Sequence, residues 1–259
     1  MMKYLQTLLI LFSLGLFSCA TVSCSDLDGT NIIPNTLTEA TTKILPRQSF
    51  LKIDRNVKLK YCPDLKKPDE CINRKMRSSG SGFLIGTVPY GAFMITAAHV
   101  CDVSDMVKYI ESPHIKHTGD EFFVYDEKGA QYAAVILEMD KESDLCAAFV
   151  HGLQGKPAII ADTNPLPGDK AYNLAAPVGF FAAGVIPTLD GYYNGKFSRY
   201  ASYSVPAVGG SSGSPVFNSD GEVIGMIHSV HTRFQFLTFS PTLREIRDLA
   251  RKYVKLKTN

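Results

Sequence analysis

The chain lacks several patterns that would point to particular functions. Its 259 residues contain no tryptophan, no Cys-x-x-Cys pair and no His-Glu-x-x-His motif. The missing motifs remove the usual spacings of zinc sites, and the missing tryptophan leaves phenylalanine and tyrosine as the only large aromatic residues. Its 27 Lys and Arg nearly balance its 25 Asp and Glu, so no basic excess predicts nucleic acid as a partner. We therefore expect no metal, no cofactor and no nucleic acid.

The longest apolar run lies at the N-terminus and is too short to cross a membrane. It extends from about Leu8 to Phe17 behind Lys3, whereas a helical span needs roughly 20 residues. A basic residue followed by a short apolar run is typical of a secretory signal. We expect residues 1–18 to be such a signal, and the protein to be exported as a secreted, periplasmic or lipid-anchored molecule.

The end of this run leaves two processing outcomes open. The sequence Leu-Phe-Ser-Cys that ends at Cys19 resembles a bacterial lipobox, in which the cysteine receives a lipid, although Phe17 stands where a small residue is usual. The alternative is ordinary signal cleavage slightly downstream, near Ser23 or Ser25. Contact with a membrane is expected only through a lipid on Cys19.

Composition divides the remaining chain into a linker and two β-rich halves. Residues 19–45 are rich in Thr, Asn, Asp and Ser and predict a linker. Short β-type runs broken by Gly, Pro and Asp follow, with a boundary near residue 155, which gives halves over 46–155 and 156–259. Apolar residues then recur at helical spacing, and Thr242 with Glu245 forms a candidate capping box, so we predict a helix over 242–256.

Three segments carry residue types that suit nucleophilic catalysis. His99 ends an apolar strand, Asp144 directly precedes an apolar run, and Ser212 lies in a glycine-rich bend. A serine hydroxyl needs an imidazole to accept its proton, and the resulting imidazolium needs a fixed carboxylate at its other nitrogen. Glycines in the bend permit backbone conformations that can aim two N–H groups at a developing oxyanion.

The order of these motifs resembles that of the chymotrypsin-like (trypsin-type) serine peptidases, especially short bacterial members. Thr-Ala-Ala-His, then Asp-Leu, then Gly-x-Ser-Gly-x-Pro match over roughly residues 76–256. The resemblance implies an all-β fold of two perpendicular six-stranded β-barrels with a C-terminal α-helix. It also implies His99, Asp144 and Ser212 as catalytic triad, with the backbone N–H groups of Gly210 and Ser212 as oxyanion hole.

The same resemblance implies the reaction and the substrate pocket. We expect a monomeric serine endopeptidase that hydrolyses protein or peptide substrates through an acyl-enzyme. Pro206 falls at the base of the specificity pocket, with His228 and Val230 beside it. Because Pro206 and its neighbours Ala207 and Val208 carry no charge, a small or medium apolar side chain is expected before the cleaved bond.

Two other functions compete with this interpretation. The bend also satisfies the Gly-x-Ser-x-Gly nucleophile elbow of α/β-hydrolases, with Ser211 as nucleophile. That fold needs alternating strands and helices and a later histidine, and His228 and His231 follow too closely to leave room for an intervening acid. The second rival is a catalytically silent peptidase-like module for binding or adhesion.

Four cysteines lie in the body of the chain, and in an exported protein they predict disulfides. Cys62 and Cys71 enclose a short polar loop and are expected to pair locally. Cys101 lies two residues after His99, and Cys146 lies two after Asp144. If the base and the acid touch, these cysteines should also be neighbours and pair. The alternative for this second pair is two free buried thiols.

Overall fold

The computed structural model describes residues 45–256, and in this part of the chain it is mostly β. The predicted signal peptide, Cys19 and nearly all of the predicted linker lie outside these residues. An all-β architecture is confirmed, since fourteen strands are present against three α-helices among the described residues. None of these helices is long and apolar enough to cross a membrane.

The N-terminal half is a closed six-stranded barrel. Its strands follow the spatial order β1-β2-β3-β6-β5-β4. The strands are β1 (Phe50–Tyr61), β2 (Ile72–Val88), β3 (Gly91–Ala97), β4 (Ile115–Tyr125), β5 (Gln131–Asp140) and β6 (Leu145–His151). The antiparallel pairing of β3 with β6 sets Ala97 opposite Leu145, so the chain segments that carry His99 and Asp144 emerge side by side at one end of the barrel.

The C-terminal half is an eight-stranded sheet, and the structure does not confirm a second closed six-stranded barrel. The strands follow the spatial order β13-β14-β10-β9-β8-β11-β12-β7. They are β7 (Ile159–Ile160), β8 (Lys170–Leu174), β9 (Thr188–Phe197), β10 (Tyr200–Tyr203), β11 (Pro215–Phe217), β12 (Glu222–Met226), β13 (Ser229–His231) and β14 (Phe234–Ser240). The only parallel pair among the described strands is β7 with β12, over two residues, which does not fit the alternating fold of an α/β-hydrolase.

The chain passes from β12 to β13 through Ile227 and His228, and these two strands lie near opposite ends of the strand order. Main-chain hydrogen bonding continues there, since the N–H of His228 donates to the Phe239 carbonyl on β14 at 3.0 Å. A side-chain bond also joins β12 to β10, since the Tyr203 hydroxyl donates to the carbonyl of Ile224 at 2.7 Å.

The C-terminal helix is confirmed and begins at its capping box. The three helices are α1 (Ala98–Cys101), α2 (Ser104–Ile110) and α3 (Leu243–Arg251). Thr242 accepts from the N–H of Glu245, and the Glu245 carboxylate accepts from the N–H of Thr242. The helix ends at Arg251 rather than at 256. The backbone N–H of Lys252 donates to the carbonyl of Leu249, three residues back, and so tightens the last turn.

Both expected disulfides are present. Cys62 pairs with Cys71 and closes the exposed loop between β1 and β2. Cys101 pairs with Cys146 across 45 positions of sequence and joins α1 to β6. Cys101 and Cys146 are both buried in the main hydrophobic core, so this second bridge ties the His99 and Asp144 segments together from inside the barrel.

Candidate active site

His99 and Asp144 meet at the end of the barrel through backbone and side chain alike. Nδ1 of His99 lies 2.7 Å from Oδ2 of Asp144, and the His99 N–H donates to Oδ1 at 3.0 Å. The N–H of Ala98 also donates to the Asp144 carbonyl at 3.1 Å. These contacts hold the imidazole in one orientation and place the proton on Nδ1, which leaves Nε2 as an acceptor.

The Asp144 carboxylate is held in its ionised form. Burial alone would raise its pKa, but contacts from His228 and His99 outweigh burial and lower the pKa of Asp144 well below its usual range. Its backbone is unusual as well, because Asp144 has a φ of 54°, in the left-handed region that costs energy for a residue other than glycine. Such a strained conformation persists where several contacts hold it, and here the N–H groups of Ala98 and His99 both donate to Asp144.

The bend around Ser212 presents one of two adjacent serines and buries the other. Ser211 is fully buried, and its hydroxyl accepts from the N–H of Val208 at 3.4 Å. The side chain of Ser212 makes no hydrogen bond among residues 45–256, and Ser212 is only partly buried. Of the two hydroxyls, that of Ser212 is therefore the one free to react.

Two glycines allow the bend to approach its neighbours closely. Gly210 and Gly213 have φ values of 93° and 86°. A Cβ on Gly210 would lie 2.4 Å from the carbonyl oxygen of Ala176, and one on Gly213 would lie 2.1 Å from that of Ser81. Neither position can carry a side chain without moving backbone, so glycine is required at both.

Two peptide groups of the bend are held by hydrogen bonds that their carbonyl oxygens accept. The Gly209 carbonyl accepts from Val178 N at 2.6 Å, and the Ser211 carbonyl accepts from Ser214 N at 3.0 Å. Because C=O and N–H point in opposite directions across a trans peptide, these bonds aim the N–H groups of Gly210 and Ser212. Among the described residues these two N–H groups have no acceptor, so both are available to an incoming anion.

Ser81 on β2 links this bend to the barrel, and sequence reasoning missed it. Its hydroxyl donates to the Gly210 carbonyl at 2.9 Å and accepts from the N–H of Ala176 at 3.0 Å. Its N–H donates to the Ser212 carbonyl at 2.8 Å. The Ser81 carbonyl in turn accepts from the Thr96 hydroxyl at 2.7 Å. One fully buried serine therefore fixes both sides of the predicted nucleophile relative to β3, which leads to His99.

The structure brings Ser212 beside the His99 segment, without a hydrogen bond between the two side chains. Gly80 lies between them, since a Cβ there would be 2.7 Å from the Val100 side chain and 3.4 Å from the Ser212 carbonyl oxygen. Among residues 45–256, Oγ of Ser212 and the His99 ring share no hydrogen bond. A long nucleophile-to-base distance is common in peptidases without bound substrate.

The three predicted pocket residues lie in different surroundings. Pro206 is partly buried in the segment before the Ser212 bend, and Val230 lies on β13. His228 faces Asp144 instead, with its Nδ1 3.4 Å from Oδ2 of that residue. This contact was not foreseen. The part of the chain that the structure describes contains no cluster of three or more His, Cys, Asp and Glu side chains suited to a metal ion.

Comparison with known proteins gives one family and several relatives. The family model described as trypsin-like peptidase domain matches residues 80–226. A probable periplasmic serine endoprotease, DegP-like, from Marinomonas sp. (strain MWYL1) is 26% identical over 161 residues, which cover 60% of this chain and 30% of that protein. The serine protease HTRA3 of Rattus norvegicus is 28% identical over 161 residues, which cover 58% of this chain and 32% of that protein. The chain thus spans about a third of the length of these curated relatives.

Proposed function

Because the chain belongs to the trypsin-like peptidase domain family, we propose that it is a serine endopeptidase with Ser212 as nucleophile, His99 as base and Asp144 as orienting acid. The observation that carries this proposal is the 2.7 Å contact between His99 and Asp144 at one end of the barrel. Ser81, on a strand of the same barrel, binds the Ser212 bend. Relatives named as a probable serine endoprotease and a serine protease support the same reaction class.

The proposed mechanism uses each group in the position described above. Ser212 Oγ attacks the peptide carbonyl while Nε2 of His99 accepts its proton, and Asp144 stabilises the imidazolium through Nδ1. The N–H groups of Gly210 and Ser212 donate to the oxyanion of the tetrahedral intermediate. His99 then protonates the leaving amine, and water hydrolyses the acyl-enzyme by the same proton transfers in turn. The residues at hand suffice for every step.

Replacing the proposed nucleophile tests this function directly. Ser212→Ala should lower kcat on an unfolded protein substrate by roughly 10⁶-fold, the loss seen when a serine peptidase loses its nucleophile. A fluorophosphonate probe should label the parental chain on Ser212 and should leave the variant unlabelled, with the modified peptide identified by mass spectrometry.

Ser211→Ala is the matched control. Among the described residues its buried hydroxyl makes one hydrogen bond, which it accepts from the N–H of Val208, so the variant should lose some stability and keep most of its activity. If Ser211→Ala abolished labelling while Ser212→Ala kept it, the nucleophile assignment would be wrong. An unlabelled parental chain with no cleavage of any peptide would instead favour the silent binding or adhesion module.

We also propose a preference for small or medium apolar side chains before the cleaved bond. Pro206, Ala207 and Val208 offer no charge to a basic side chain, and an unpaired buried cation is costly. Cleavage of a peptide library by the active chain tests this preference, with Ser212→Ala as the blank. Efficient cleavage after Lys or Arg would refute it.

Export is proposed from the N-terminal sequence and from the periplasmic names of two DegP-like relatives. The two processing outcomes predict different intact masses for the mature protein. A lipid on Cys19 adds the mass of acyl chains to a chain that begins there, whereas ordinary cleavage gives an unmodified N-terminus further downstream. A protein that kept residues 1–18 would contradict both outcomes.

A further inference from the structure

Asp144 contacts a second imidazole besides that of His99. Nδ1 of His228 lies 3.4 Å from Oδ2 of Asp144, the same oxygen that Nδ1 of His99 approaches to 2.7 Å. The His228 side chain is only 10% exposed, so this is a buried contact. One carboxylate oxygen therefore faces two histidine rings.

The surroundings of His228 favour one tautomer. An ionised carboxylate can only accept hydrogen bonds, so the nitrogen that faces Asp144 must carry the proton. The other nitrogen, Nε2, lies 3.2 Å from the hydroxyl of Ser229, which can donate to it. A ring with its proton on Nδ1 can donate to Asp144 and accept from Ser229. The opposite tautomer has no proton to donate to Asp144 and no lone pair to accept from the Ser229 hydroxyl.

The His228 ring is also fixed in place by its neighbours. The ring packs against that of Tyr200 with centroids 4.7 Å apart, and the backbone N–H of His228 donates to the Phe239 carbonyl at 3.0 Å. The titratable groups that face this ring are thus Asp144 from the turn before β6, Tyr200 from β10 and, through the shared carboxylate, His99 from α1. These contacts leave the His228 ring little freedom to adopt another orientation.

We propose that His228 is a positioning residue that donates from Nδ1 to Asp144 and so shares the acid with His99. The inference rests on the proposed function and adds one role to it. The second donor restrains Oδ2 together with the His99 ring and takes up part of the negative charge of the carboxylate. The carboxylate, and through it the orientation of His99, is then held by two residues instead of one.

Three substitutions separate this role from simple packing. His228→Phe keeps a ring against Tyr200 and removes both nitrogens, His228→Gln keeps an amide near the position of Nε2, and His228→Asn keeps a donor near the position of Nδ1. We expect kcat to fall on the order of 10-fold in the Phe and Gln variants, the size of one lost hydrogen bond to a charged group. We expect the Asn variant to stay within about 2-fold of the parent.

The contrast between the variants gives a readout that packing alone would not move. Loss of packing would lower kcat in the Asn variant at least as much as in the Phe variant, because only Phe keeps a ring against Tyr200. Activity that is retained with the donor and lost with the ring alone therefore identifies the contact with Asp144. Using two variants that lack the donor keeps the test valid if one of them fails to fold.

A measurement on inactive protein distinguishes this inference from the proposed function. In the Ser212→Ala chain, nitrogen NMR of the histidine rings should show His228 with its proton on Nδ1, whether or not the parental chain is a peptidase. The opposite tautomer would overturn the inference. Parental kcat in both the Phe and the Gln variants would also overturn it. So would a rise in KM without a fall in kcat, or a fall in kcat in the Asn variant as large as in the other two.

Discussion

The two sides of the proposed active site are held in different ways. His99 and Asp144 stand on a closed barrel, where the Cys101–Cys146 bridge and three hydrogen bonds join their segments. The Ser212 bend stands on an eight-stranded sheet and is held by hydrogen bonds to Ser81, Val178 and its own turn. A covalent bond thus joins the segments that carry the proposed base and acid, whereas hydrogen bonds alone join the segment of the proposed nucleophile to the barrel.

The largest expected effect is on the covalently fixed side. Asp144→Asn should lower kcat by roughly 10⁴-fold, because an amide favours the wrong tautomer of His99. Steady-state kinetics with a peptide substrate measure this loss. Asp126→Asn is the control, since Asp126 accepts hydrogen bonds in the turn between β4 and β5, and it should keep parental kcat. If Asp144→Asn lowered kcat by less than 10-fold, Asp144 would not act as the acid of the proposed triad.

The next effect compares the two disulfides. On the chain-entropy model, replacing Cys101 and Cys146 by alanine should lower the free energy of unfolding by about 4 kcal/mol, against about 2.5 kcal/mol for Cys62 and Cys71, because the first pair closes a longer loop. Denaturant unfolding measures both values. Only the first pair should also lower kcat, since only it joins the segments of base and acid. Equal losses of kcat would show that the bridge near the site has no special role.

A smaller effect is expected on the hydrogen-bonded side. Ser81→Ala leaves the Gly210 carbonyl and the Ala176 N–H without their buried partner, at a cost of about 1 to 3 kcal/mol in unfolding free energy. The peptide group between Gly210 and Ser211, inside the bend, loses this restraint as well, so kcat should fall roughly 10-fold.

Ser49→Ala provides a matched control for Ser81→Ala. Ser49 is also fully buried, and its hydroxyl donates to a carbonyl, that of Pro46, just before β1 rather than in the Ser212 bend. The variant should lose stability and keep parental kcat. If both variants lost the same fraction of kcat, the effect of Ser81 would be general destabilisation.

The smallest effect concerns helix α3, which should matter to neither side of the site. Thr242→Ala removes one half of the capping box and should cost about 1 kcal/mol of unfolding free energy. Thermal unfolding measures the loss, and active-site titration of the folded fraction should give parental kcat. A clear fall in kcat would mean that the helix cap influences the catalytic geometry.

The features predicted from the sequence are those that a short segment encodes by itself. The β texture, the capping box of α3 and the two cysteine pairs could be predicted because each depends on local pattern or on the requirement that His99 meet Asp144. β9 was not predicted, because its run from Thr188 to Phe197 contains two glycines and an asparagine and is largely exposed. Its strand pairing comes from its neighbours β8 and β10, not from its own pattern.

Most other contacts between distant segments were beyond sequence reasoning; the Cys101–Cys146 pair could be predicted because it follows from the requirement that His99 meet Asp144. Ser81 and Gly210 are 129 positions apart, and a serine in a strand gives no sign of which carbonyl it will meet. His228 was assigned to the pocket by resemblance, and no local pattern indicates that its ring also approaches Asp144.

The bridge between Cys101 and Cys146 has a further consequence for a chain that is proposed to cut peptide bonds. The exposed turn between β4 and β5 lies inside the loop that this bridge closes. A single cut there would divide the chain into one fragment with His99 and another with Asp144, and the two would remain covalently joined. The barrel strands on both sides would keep their partners, so a molecule nicked by itself or by a neighbour could retain the geometry of base and acid.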